Sequence, residues 1–388
     1  MGEFFVRVGA TYAKALSPPK KIDMDDIDAT YMKLALNLAA RGEGWVSPNP
    51  MVGAVVVKGG KVVGRGYHRR AGLPHAEVEA LRAAGEAARG AELYVTLEPC
   101  NHQGKTPPCT QAILAAGVRR VIIATPDPNP QVTGGGAEFL AARGVDVNVG
   151  LLAAEARRVN EAWFHYVNTG RPWVVAKAAC SLDGKIATVG GESQWLTGEA
   201  ARALGRRLRH RVDAIMVGIG TVLADNPQLT TRLPRGQGND PIRLVLDSRL
   251  RLPLTARLLN LDSEAPTWVA TTSQAPPDTI RALEARGAQV LVLPADAGRV
   301  SLPALLEELG ARQVQSLLVE GGAETLGACF DQRLVNQFYF FYAPKILGGQ
   351  KAPGMVGGHG IVHLGEAHIA KNLSVRRVGG DLLVSGYL

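Results

Sequence analysis

The chain has 388 residues, 46% of them hydrophobic and 20% charged, a balance that excludes a disordered protein and leaves room for two domains with separate cores. Its formal net charge of +8 favours acidic partners, which could be nucleic acid, a membrane surface or phosphorylated metabolites. Four cysteines (Cys100, Cys109, Cys180, Cys329) are too few for a disulfide scaffold and point to a reducing, cytoplasmic compartment; no apolar run reaches the roughly 18 residues of a membrane span.

The first 23 residues lack the long apolar centre of a signal peptide and end near a linker-like SPPKK, so they read as an extension without an assigned role. Apolar positions at helical spacing predict a helix over 27–41, stopped by Gly42. MVGAVVVKGGKVVGRGYH predicts a hairpin, two β-branched runs joined by Gly-Gly. In LPHAEVEAL, His75 and Glu77 stand two apart, which would put them on different faces inside a helix; after Pro74 they belong to a helix's first turn. AELYVTLEPC reads as a strand running into Cys100, CTQAILAAGV as a helix starting at Cys109, and RRVIIAT as another strand. A loop, PDPNPQVTGGG, a helix at 137–143 and VDVNVG complete an α/β rhythm.

A second start is predicted at NTGRPWVV, which sets the domains at 24–168 and 169–388. The second half repeats the rhythm through DAIMVGIG, PIRLVLDS, TWVATT, QVLVL and SLLVEGG. ARALGRRLRHR places Arg202, Arg206 and Arg209 on one helical face, a stripe that for Arg202 and Arg206 reads first as solvated surface.

His75, Cys100 and Cys109 each fall at a strand end or helix start and offer one nitrogen and two sulfurs. Three protein ligands leave the fourth tetrahedral position of a zinc ion to water, as catalytic zinc requires. Zinc lowers the pKa of that water toward about 7, and Glu77 would move its proton to a departing amine. His-x-Glu followed by Pro-Cys and a second cysteine is the order found in zinc deaminases, where the glutamate is not a ligand. His102 could serve as a fourth, structural ligand, but its place in the loop between the cysteines favours another role.

The nucleic-acid and nucleoside deaminases usually carry two residues between the cysteines, whereas this chain carries NHQGKTPP. Together, PNPMVGAVVV, GYHRRAGLPHAE, VTLEPCNHQGKTPPC and DPNPQVTGGG resemble the deaminase half of the bifunctional riboflavin biosynthesis deaminase/reductases. The resemblance implies a cytidine-deaminase-like three-layer α/β/α domain with zinc on His75, Cys100 and Cys109, and Glu77 as proton shuttle. It also implies substrate contacts from Asn49, His68, His102 and Lys105. For Asn49 and His68 a purely structural role stays open.

SLLVEGGAETLGACF predicts a buried strand, a Gly-Gly turn and a helix whose first N–H groups suit a pyrophosphate, although it is not the Gly-x-Gly-x-x-Gly fingerprint and a glycine turn is often only structural. KAACSLDGKIA, GESQWLT and GTVLADNPQLTTR follow the order of the same family's reductase half, which is similar to dihydrofolate reductase in fold and uses NADPH. That half implies NADPH contacts from Ala179, Trp195, Thr221, Asp225, Ser248 and the run Gly322, Ala323, Glu324, Thr325, Leu326, Gly327 and Ala328. Substrate contacts are implied at Ser193, Arg209, Leu229, Arg232 and Glu320, with Lys177 and Asp225 as polar groups near the reacting sugar. Cys180 and Cys329 read as packing.

The expected activities are hydrolytic deamination of 2,5-diamino-6-(5-phosphoribosylamino)pyrimidin-4(3H)-one, then reduction of the ribosyl group of 5-amino-6-(5-phosphoribosylamino)uracil to ribityl. The partners are then phosphorylated pyrimidines rather than nucleic acid or membrane, in a homo-oligomer whose order the sequence does not give. A tRNA deaminase is the rival enzyme, but it has no use for the second half. A zinc-dependent scaffold is the rival from another class, and it has no use for Glu77.

Overall fold

The computed structural model describes residues 24–103, 107–129, 135–233 and 238–388. The N-terminal extension 1–23 and Lys105 lie outside them.

The first domain opens with α1 (Met24–Ala39), which passes through a single 3-10 turn to Gly42. The predicted hairpin follows as β1 (Gly53–Lys58) and β2 (Lys61–Tyr67), then α2 (Ala76–Ala84), β3 (Glu92–Val95) and α3 (Cys109–Ala115). Next come β4 (Arg120–Ile123), α4 (Gly136–Ala141), β5 (Asp146–Val149), α5 (Ala153–Val159) and α6 (Glu161–Thr169). The strands form one sheet in the order β2-β1-β3-β4-β5, antiparallel across the hairpin and between β1 and β3, and parallel from β3 onward. Along β1 the side chains alternate between two buried faces. Ala54 and Val56 meet the core under α2, α3 and α4; Val55 and Val57 meet the core under α1 and α5. The three-layer expectation therefore holds.

One reading of this half is corrected. The strand expected to run into Cys100 stops at Val95. Thr96 to Pro99 form an irregular lead, in which Thr96 N–H still bonds Gly53 O but Pro99 has no N–H to continue a ladder. The helices α5 and α6 were not read from the sequence.

The second domain begins with β6 (Trp173–Ser181), α7 (Glu199–Arg211), β7 (Ala214–Gly218), α8 (Ile219–Asp225), β8 (Ile242–Leu246) and β9 (Thr267–Thr272). It continues with α9 (Pro277–Glu284), β10 (Ala288–Leu293), a small hairpin of β11 (Ala295–Asp296) and β12 (Arg299–Val300), α10 (Leu302–Ala311), β13 (Ser316–Val319) and α11 (Ala323–Asp331). It closes with β14 (Gln337–Ala343), β15 (Lys371–Val378) and β16 (Asp381–Tyr387). Nine of these strands make a mixed sheet in the order β10-β9-β8-β7-β13-β6-β14-β16-β15. The chain walks outward from β7 to β10 and then returns to lay β13 between β7 and β6, parallel to both. Such a reversal opens a crevice at the carboxyl ends of the strands, where α/β sheets bind ligands. Both faces are covered: Leu317 and Val319 pack beneath α10 and α11, while Leu318 meets the core holding Leu208 of α7 and Val222 of α8.

Candidate active sites

His75 is the N-cap of α2, with extended backbone, so its carbonyl accepts the Glu79 N–H while its ring leaves the helix axis. The helix lies tight on β2 because Gly64 and Gly66 carry no Cβ; one there would stand 2.2 Å from Ala80 O and 2.3 Å from Ala76 O respectively. Cys109 opens α3, and its backbone N–H donates to Cys100 Sγ at 3.3 Å. His75 Nδ1 lies 3.2 Å from Cys109 Sγ and 3.6 Å from Cys100 Sγ, and the three donor atoms all fall within 4.8 Å of one another. Zinc–nitrogen and zinc–sulfur bonds of ordinary length at a tetrahedral angle would separate N from S by about 3.6 Å. The donor set therefore fits zinc. The Cys109 thiol, with help from His75 and from the Cys109 N–H, holds the Cys100 sulfur well below the usual thiol range against the opposing effect of burial.

Glu77 lies in the first turn of α2, only 3% exposed, with its carboxyl beside the Cys109 thiol. Burial pushes its pKa up to about 7, with the His75 charge opposing. His68 is buried at the floor: Nδ1 meets Pro74 O at 3.2 Å and Nε2 meets Asn49 Nδ2 at 3.1 Å. Burial holds the His68 pKa below its ordinary value, so the neutral ring donates from Nδ1 and accepts at Nε2. Asn49 then donates its amide to His68 and keeps Oδ1 as an acceptor. His102 is exposed on the loop between the cysteines.

In the second domain the crevice gathers residues from five elements. Glu320, just beyond β13, accepts from Arg209 Nε at 3.0 Å and Nη2 at 2.7 Å, and Lys177 Nζ of β6 stands 3.7 Å away. Burial alone would raise the Glu320 carboxyl, but Arg209 and Lys177 outweigh it and hold the pKa at about 2. Arg209 Nη1 also bonds Thr230 O, which leaves two of its five N–H groups for a ligand. Burial and then the neighbouring Arg209, Arg206 and Arg257 charges lower the pKa of Arg232, the signature of cations gathered where an anion would relieve them. Ser193 Oγ donates to Asp225 Oδ1 at 3.4 Å. Trp195 is 63% exposed, with the Arg202 guanidinium 4.7 Å over its ring.

The turn after β13 is built for close approach. A Cβ on Gly321 would stand 2.7 Å from Val217 Cα, and Gly322 has φ +30 with Thr221 Oγ1 close by. A Cβ on Gly218 would meet Thr325 Oγ1 at 2.5 Å. Thr221, Gly322, Ala323, Glu324 and Thr325 thus ring one helix N-terminus, a cradle that fits a pyrophosphate. The rest of the run faces elsewhere: Leu326 is in the core, and Gly327 packs on Gly357. Ala179 lies on β6, two residues beyond Lys177. Ser248 Oγ already accepts from Val300 N, and the buried side chain of Leu229 leaves only its backbone to reach a ligand.

The sequence reading missed Glu98, whose two carboxylate oxygens accept from Asp127 N and Ala137 N and so fix the turn into Cys100. It also missed Asp213, half-buried and accepting from Gln315 N and Ser316 N. An acidic residue beside a proline or at a strand start was the available signal in each case, and neither is specific.

Residues 25–125 match the family model of the cytidine and deoxycytidylate deaminase zinc-binding region, and residues 172–384 match that of the RibD C-terminal domain. Fold and sites together define a zinc-dependent deaminase joined to an NADPH-dependent reductase. The chain is 44% identical to the riboflavin biosynthesis protein RibD of Actinobacillus pleuropneumoniae, over 93% of this chain and 95% of that protein, and resembles the solved RibD of Acinetobacter baumannii (TM-score 0.84, 37% identity, 94% and 99% covered). It belongs to the RibD family, the bifunctional deaminase/reductases of riboflavin biosynthesis. A Thermotoga maritima protein described as a diaminohydroxyphosphoribosylaminopyrimidine deaminase/5-amino-6-(5-phosphoribosylamino)uracil reductase is 36% identical with a TM-score of 0.82, over 94% of this chain and 99% of that one. No helix among the described residues is long and apolar enough to cross a membrane.

Proposed function

We propose that His75, Cys100 and Cys109 hold the zinc of the deamination site and that Glu77 moves its protons. The convergence of one imidazole and two thiols on a single point beside a buried carboxylate carries this reading. Zinc, when bound, supplies the Lewis acidity that makes water nucleophilic near neutral pH. Glu77 takes the proton lost by that water and gives it to the ring amine; the C–N bond breaks, ammonia leaves, and a carbonyl remains. Asn49 Oδ1, oriented by His68, receives a hydrogen bond from the pyrimidine, and His102 and Lys105 are the proposed contacts for its phosphoribosyl arm. Cys100→Ser is expected to lose most bound zinc and the deaminase activity while reduction continues. Full zinc content in that variant, by elemental analysis, would remove Cys100 from the ligand set.

In the second domain NADPH supplies a hydride. Gly322–Thr325 would hold its pyrophosphate, and Ala179, Trp195, Thr221, Asp225 and Ser248 would hold the rest of the nucleotide. Ser193, Leu229, Arg232, Arg209 and Glu320 bind the substrate, and Lys177 and Asp225 act on the opening sugar. The loop after β8 puts Arg249 and Arg251 in solvent on either side of the buried Leu250, where they suit the extra phosphate of NADPH. Arg249→Ala combined with Arg251→Ala should lower kcat/KM for NADPH by roughly tenfold or more and leave the NADH value nearly unchanged. Equal losses with both nucleotides would count against these two arginines.

The division at 168/169 separates the two activities. The edge strand β15 exposes Leu373 and Val375, and the segment before it exposes Val362, Leu364 and Ile369, apolar surface suited to pairing with a second copy in a homo-oligomer. Cysteines free of disulfides suit a cytoplasmic enzyme, and its partners are small phosphorylated pyrimidines rather than nucleic acid.

A further inference from the structure

The segment 43–49, which carries Asn49 to His68 beside the candidate zinc ligands, is fastened by both domains. Gln315 Nε2, at the entry to β13, donates to Pro48 O at 2.6 Å, one residue before Asn49. Asn239 Nδ2 donates to Gly44 O at 3.1 Å, and the Asn239 backbone N–H donates to His210 Nδ1 at 3.0 Å. The His210 ring meets Trp45 edge-on at 5.4 Å between centroids, and Arg211 Nε pairs with Glu43 Oε1 at 2.8 Å. The fit is close: Gly44 has φ +75, and a Cβ there would stand 2.3 Å from His210 O. Within its own domain the segment is held by backbone bonds from Glu43 N to Ala40 O, Trp45 N to Gly42 O and Asn49 N to Val46 O, by the Arg70 guanidinium 5.1 Å over the Trp45 ring, and by the Asn49 side chain on His68.

We propose that the reductase half positions the substrate loop of the deaminase, with Gln315, Asn239 and His210 acting through Asn49. The end of α7 then serves both sites, since Arg209 turns to Glu320 while His210 and Arg211 turn to the loop. None of the three positioning residues reaches the zinc cluster, so their contribution lies in holding Asn49 where the pyrimidine binds. A loop released from this clamp costs binding rather than chemistry, which separates KM from kcat.

The inference rests on Asn49 contacting substrate, and one set of variants of the full chain tests both. Gln315→Met keeps the bulk and removes the carboxamide, and with it the N–H donor to Pro48 O; Gly44→Ala forces the loop away from His210. Each should raise the deamination KM about tenfold with kcat within about twofold, as expected when the substrate loop loses one of its fastenings. Zinc content and the kinetics of reducing the deaminated compound should stay unchanged. In an Asn49→Ala background, Gln315→Met should add nothing, because the two changes break one path. Unchanged KM in both loop variants, full additivity with Asn49→Ala, or an equal loss of reduction would overturn the clamp. A normal deamination KM in Asn49→Ala alone would instead remove Asn49 from the substrate site, and the clamp's stated route with it.

Discussion

Glu77→Gln should leave a folded, zinc-loaded protein that no longer deaminates. The carboxamide matches the carboxylate in shape and places no unpaired charge in a site that is 3% exposed, so packing and metal should survive. It can neither take a proton from water nor deliver one to an amine, and positioned acid–base groups of this kind contribute about 10²–10⁴-fold. With the diaminopyrimidine phosphate, the variant should release almost no ammonia and consume almost no NADPH. Given the already deaminated aminouracil phosphate, it should oxidise NADPH at close to the normal rate. If a folded variant lost both activities, the two sites could not be independent in chemistry.

The zinc cluster was legible in the sequence because local punctuation fixes each member. Pro74 precedes the α2 cap, Pro99 precedes Cys100, and Pro108 is the residue that caps α3 at Cys109. His75 and Cys109 sit at helix starts, as read, whereas Cys100 follows an irregular lead after β3, and the His-x-Glu and Pro-Cys order was what joined it to them. The reductase crevice has no such punctuation. Arg209 and Glu320 are 111 residues apart and meet only because β13 inserts between β7 and β6, an order that strand patterns do not state. Family resemblance reached them; periodicity did not. The arginine stripe shows the limit of helical spacing: Arg202 and Arg206 both pair with Glu199 at the surface, whereas Arg209 on the same face turns inward to Glu320. The docking of residues 43–49 on α7 was invisible for the same reason, since it joins segments from different domains.

Replacing Glu320 tests the second site and its electrostatics together. The carboxylate is enclosed between a two-bond contact from Arg209 and the Lys177 ammonium, so Glu320→Gln leaves two cations facing one another without their counter-charge. Reduction should fall steeply while ammonia release from the diaminopyrimidine phosphate continues, the reverse of the Glu77→Gln pattern. Stability should fall as well. The folded carboxyl titrates at about 2 against an ordinary value near 4.5, a depression worth about 3 kcal/mol at neutral pH. Because the folded pKa is depressed, this contribution is complete above the ordinary value and disappears as pH drops from about 4.5 through about 2. Glutamine imitates the protonated acid at every pH. The gap between wild type and variant in urea midpoint should therefore be wide at pH 7, begin to narrow below about pH 4.5, and close toward pH 2. A gap that stayed constant across that range would show that the loss comes from shape, and that Arg209 and Lys177 do not hold the Glu320 charge in the folded enzyme.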